Sequence, residues 1–166
     1  MTHADPIASP PRNRALRAAG ILAVFAGLGP LTGAFVICLG FGGIAAQTAF
    51  ASGDVAEAAR LFAGGTLVTL LFAIPLGYML GLAPALMTGA VVAGWDLRSG
   101  RISLWAALAP AVIIGVLSAY ITGQQVASEH GTIFWRTALI TAHLTAGMAG
   151  WAAARAIFTR AGTPAA

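Results

Sequence analysis

Few side chains in this sequence suit acid–base or metal chemistry, and their spacing keeps them apart. Asp54 and Asp96 are the aspartates that border apolar segments, and an acid protease needs two carboxylates close enough to share one proton. An uncharged run of 35 residues, 61–95, separates them and places them on opposite faces of a membrane. His143 stands inside another uncharged run, 137–154, flanked by Thr141 and Thr145. Ionisable groups within membrane segments mark proton, ion or substrate paths by default. The plainer expectation for His143 is a neutral ring hydrogen-bonded to a neighbouring helix. Haem ligation in a bundle draws on paired histidines, and His3 and His130 fall in the amino-terminal tail and an outer loop. Zinc takes three or four grouped ligands, and the sequence groups none. Cys38, the sole cysteine, reads as a small buried hydrophobe. The residues thus predict no catalytic site, no metal and no cofactor.

The segments that position these residues are apolar throughout. Only 8% of the chain is charged, against about 25% in a soluble domain that must face water. Uncharged runs cover 18–53, 61–95, 102–128 and 137–154, and about 20 apolar residues cross a ~30 Å hydrocarbon core. The expected fold is an all-α membrane protein, a four-helix transmembrane bundle with spans near 18–46, 61–95, 102–124 and 134–156. One domain, 18–158, then lies between a disordered tail, 1–17, and a short tail, 159–166. A helix from 61 to 95 or longer exceeds the bilayer and must tilt, project or break. Pro75 and Pro84 in span two and Gly29-Pro30 in span one are where kinks are expected, since proline removes a backbone donor and crowds the carbonyl four residues back. "ASGDVAEAAR" starts the second helix, with Asp54 as N-cap and Glu57 at the capping-box position.

All nine basic residues are arginines. Arg12, Arg14, Arg17, Arg98, Arg101, Arg155 and Arg160 fall on one side of four spans, Arg60 and Arg136 on the other. Positive charge near span ends stays cytoplasmic, so both termini are expected inside a bacterial inner membrane. Trp95, Trp105 and Trp135 sit where amphipathic rings mark the interfaces. The apolar run after Arg17 is 36 residues long, too long for a signal core of about 7–15, so an uncleaved anchor is expected. The arginines do not cluster, and no nucleic-acid partner is expected.

Small residues recur every fourth position. Span two carries Ala73, Gly77, Gly81, Ala85, Gly89 and Ala93; span three carries Ala107, Ala111, Gly115, Ala119 and Gly123; span four carries Ala138, Ala142, Ala146, Gly150 and Ala154. Residues four apart share a helix face. In lipid, helices associate through close backbone packing, so Gly77, Gly81, Ala85, Gly89, Gly115, Ala119, Ala146 and Gly150 are candidate packing positions, with Pro84 a kink among them.

"GPLTGAF" in span one and "IPLGYMLGLAPALMTGAVVAGWD" in span two resemble a family of small four-span inner-membrane proteins of alphaproteobacteria, with Gly-Pro in the first helix and Pro-Ala-Leu-x-x-Gly in the second. The resemblance implies the topology and carries no activity. "WDLRSGRI" is similar to the Asp-Leu-Arg-x-x-x-Ile turn of prepilin peptidases, whose second motif, Gly-x-Gly-Asp, follows the first. Here "ASGD" lacks the first glycine and precedes Asp96, so a short interfacial turn oriented by Arg98 and Arg101 is the expected role. The functional expectation is a non-catalytic structural or accessory subunit, or a homo-oligomer, in contact with lipid and a membrane-protein partner. The alternative is a small transporter or channel using Tyr78, Thr88 and His143, and behind it an embedded enzyme using Asp96 or His143.

Overall fold

The computed structural model describes residues 11–123 and 129–160. Four helices follow one another: α1 (Pro11–Ala51), α2 (Val55–Ser99), α3 (Leu104–Gly123) and α4 (Glu129–Arg160). The expectations for 1–10 and 161–166, for His3, and for the side chains of Glu129 and His130 lie outside the described residues. Residues 11–17, expected as tail, are helical instead. Proline suits a first helical position because its fixed φ is already helical, and Arg17 is tied to two other helices as described below.

Three helices, α1, α2 and α3, are long and apolar enough to cross a membrane. The fourth, expected as a span, falls short of that standard, because His143 and three threonines dilute its central run. It nevertheless packs along α1 and α3.

Each turn at the ends of α2 has a local cause. Gly53 (φ 82°) and Gly100 (φ 68°) take the left-handed conformation that favours glycine. The Gly100 N–H donates to the Asp96 carbonyl at 2.7 Å and closes the helix. At the other end the Asp54 carboxylate accepts from the Glu57 N–H at 2.9 Å. The reciprocal half of the expected capping box is absent: the Glu57 carboxylate takes Arg60 at 2.8 Å, and the Asp54 N–H already has the Ala49 carbonyl at 3.0 Å.

With 45 residues, α2 is about 68 Å long at ~1.5 Å per residue, and the 41 residues of α1 reach about 62 Å. Helix continues through Pro30, Pro75 and Pro84. One turn before Pro30, the Gly27 carbonyl accepts from the Tyr78 hydroxyl of α2 at 3.0 Å.

The helices form a ring in which α1 packs most extensively on α2 and also on α4, while α3 packs on α4. The fourth seam, α2 against α3, is sparse. It closes at the end where α1 begins. There Ile21 and Phe25 of α1, Val92 and Ala93 of α2, Ile102, Ala106 and Ala107 in and before α3, and Ala154 of α4 make the buried core. Farther along, towards Gly53, the seam opens.

Candidate functional site

Two arrangements stand out, one at each part of the α2–α3 seam. The first is an ion-pair clasp at the closed end. The Arg17 Nε donates to Asp96 Oδ2 at 2.7 Å and Nη2 donates to Oδ1 at 3.0 Å, a two-point fork. Nη1 donates to the Phe158 carbonyl at 2.9 Å, and the guanidinium lies 5.8 Å from the Phe158 ring centroid. One side chain of α1 thus holds the last turns of α2 and α4. The Asp96 side chain is 3% exposed and Arg17 34%, so the carboxylate is enclosed while the cation keeps an edge in contact with its surroundings.

Both Asp96 oxygens accept from Arg17. Asp54 caps the opposite end of the same helix, 42 residues away and therefore about 60 Å distant. The two carboxylates cannot share a proton. Arg98 and Arg101 are exposed beside the turn. The clasp went unpredicted, although its signal was present: opposite charges stood at the start of span one and the end of span two, on the side the arginine count already grouped together.

The second arrangement is a cleft where the seam opens. It has a volume of about 580 Å³ and is walled by α1 (Phe25 to Phe41), α2 (Thr69 to Thr88), α3 (Ala111, Ser118, Ile121) and α4 (Trp135 to Gly147). Phe25 bounds it towards the core. Its Cβ is pressed against Gly89 of α2 and its ring against Gly150 of α4, where added Cβ atoms would sit 2.9 Å and 2.6 Å from it. At the other end stands a mutually edge-on trio, Phe41, Phe134 and Trp135, with centroids 5.5–5.6 Å apart.

The polar groups on this wall are few. Thr69 and Thr88 donate their hydroxyl protons within α2, to Gly65 at 2.7 Å and Pro84 at 3.0 Å. His143 does not bond to another helix as expected: its Nδ1 lies 2.8 Å from the Leu139 carbonyl of its own helix. Its ring packs over Gly115, whose added Cβ would meet the His143 Cβ at 3.2 Å. Tyr78, grouped with Thr88 and His143 in the sequence reading, turns to α1 instead.

The remaining small-residue positions all face inside the chain. Added Cβ atoms would lie 2.9 Å from Ala34 at Gly77 and 3.5 Å from the Pro30 Cα at Gly81. Ala85 faces Gly29, where the equivalent distance is 2.8 Å. Ala119 is buried and Ala146 half-buried. Pro84, Ala85 and Ala146 also border the cleft.

Comparison with protein-family models, curated proteins and solved structures finds no match to this chain.

Proposed function

We propose that the chain is a non-catalytic integral membrane protein that holds an apolar, membrane-soluble molecule in the cleft between α2 and α3. One observation carries this reading: a cavity of about 580 Å³, walled by all four helices, whose side chains are apolar except for Thr69, Thr88, Ser118, His143 and the indole of Trp135. Small-molecule sites span roughly 300–1,000 Å³ and combine apolar walls with a few polar groups. Asp96 is paired with Arg17 and Asp54 caps a helix, which favours binding over turnover.

The reading as a partner subunit or homo-oligomer has less support, because the small-residue rows are engaged within the chain. The apolar outer side of α2, with Leu71 75% and Met79 80% exposed, suits lipid equally well. We place the protein in a bacterial inner membrane with α4 crossing beside the other helices and the clasp end cytoplasmic. Seven of nine arginines lie towards that end. Reporter fusions after residues 56 and 99 then read periplasm and cytoplasm; the reverse pattern overturns the orientation.

The binding reading is tested by Gly33→Leu. Gly33 lines the cleft, and an added Cβ meets only the Ala142 Cβ, at 4.0 Å, so a larger side chain has room to fill the cavity. Native mass spectrometry of the purified protein in nanodiscs should find a small molecule retained by the wild type and lost from the variant, with melting unchanged. Equal retention by both, or none by either, overturns the reading.

A further inference from the structure

We propose that the occupant of the cleft is an apolar molecule bearing a hydroxyl group, and that His143 accepts its hydrogen bond; this rests on the cleft reading above. A carbonyl oxygen can only accept, so the contact to Leu139 requires the proton on Nδ1 of His143. A neutral ring with its proton on Nδ1 presents Nε2 as a bare acceptor. Nε2 has no partner among the described residues and is not among the buried polar atoms left without one, so it remains open to a ligand. The ring cannot easily turn away, because it packs over Gly115 while Nδ1 is held.

The other polar groups sharpen the selection. Thr69 and Thr88 have spent their protons on their own helix, leaving only oxygen lone pairs towards the cleft. Ser118, one turn along α3 from Gly115, supplies a hydroxyl that donates or accepts. Counting the indole N–H of Trp135 as a donor, the wall is still richer in acceptors than in donors. A ligand with only acceptors leaves Nε2 facing a lone pair, whereas a ligand hydroxyl satisfies it. A buried acceptor without a partner is unfavourable, and a site built to hydrogen-bond a ligand hydroxyl discriminates against analogues lacking it. The hydroxyl can belong to an aliphatic lipid alcohol or to a lipid hydroquinone; both offer the same donor on an apolar body.

The test uses the full-length protein in nanodiscs and two probe pairs: hexadecanol with its methyl ether, and a prenylated hydroquinone with its quinone. Binding is followed by fluorescence of Trp135, which lines the cleft. Wild type should prefer the hydroxyl member of at least one pair by about five-fold, one net hydrogen bond, and the pair showing the preference identifies the source. His143→Leu should bind both members of that pair alike, and His143→Gln, which keeps an acceptor, should restore the preference. Wild type binding both members of each pair equally overturns the hydroxyl assignment and leaves the cleft reading standing. Binding of no probe by the wild type overturns both.

Discussion

The two long sides of α2 end in opposite states. Against α1 the helix is closed along its length: Gly77 meets Ala34, Gly81 meets Pro30, Ala85 meets Gly29 and Gly89 meets Phe25. Against α3 it closes only around Val92 and Ala93 and then parts to leave the cleft. The difference lies in what each neighbour offers. The α1 side presents Gly29, Pro30 and Ala34, small or compact residues that let two backbones approach, and in lipid that approach is the main source of attraction. The α3 side presents Ser118 and Ile121 to the cleft and spends small residues, Ala107, Ala111 and Gly115, on α4. A small-residue row therefore makes a seam only where the facing helix answers it.

The clasp ties α1 to α2 and α4 through one ion pair with an enclosed carboxylate, so breaking it has the largest expected effect. Arg17→Met leaves the enclosed Asp96 carboxylate without its cation. Removing one member of a buried pair costs about 3–5 kcal/mol, and the partial exposure of Arg17 places this case at the lower end. The melting temperature in detergent should fall clearly. Replacing both, Arg17→Met with Asp96→Leu, should recover much of the loss, because no buried charge is left over. A double variant as unstable as the single one would show that packing, not charge, holds this end.

Next in size is the seam with α1. Gly77→Ala puts a Cβ 2.9 Å from the Ala34 Cβ and 3.2 Å from the Pro30 carbonyl oxygen. Neither can swing aside, and overpacking of this kind costs about 1–3 kcal/mol. Gly81→Ala, one turn on, makes its closest contact at 3.5 Å from the Pro30 Cα, an ordinary distance. It should be tolerated, since alanine is the better helix former by ~1 kcal/mol in water. Melting of the two variants side by side reads the register directly. Equal losses would mean that the helices cross elsewhere.

That contrast marks how far the sequence could be read. The period-four rows of α2, α3 and α4 were legible because helix geometry alone puts residues four apart on one face. They could not rank Gly77 above Gly81, since that depends on where Pro30 falls in the facing helix. Asp54 was legible as a cap from its place before the helix, but the role of Glu57 was not, because Arg60 competes for it at i+3. The clasp required pairing residues 79 positions apart. The cleft could not be read at all: it exists because α3 prefers α4, a choice between helices that no single segment records.

The smallest expected effect is at Gly33, and it separates a packed seam from an open one most cleanly. Gly33 lies on α1 four residues before Ile37 and three after Pro30, within the same stretch that meets α2, yet it faces the cleft. An added Cβ there finds one neighbour, the Ala142 Cβ at 4.0 Å, and otherwise space. Gly33→Ala should therefore leave the melting temperature unchanged or raise it slightly. Alanine lowers the chain entropy lost on helix formation by up to ~1 kcal/mol in water, and nothing on this face opposes it. In lipid the unfolded chain is already helical and the gain shrinks towards zero. A drop comparable to that of Gly77→Ala would mean that α1 and α4 close over Gly33 and that the cavity is not open at this depth. No change at Gly33 with a marked loss at Gly77 would leave one helix with a packed seam and an open wall within a single turn's rotation of each other.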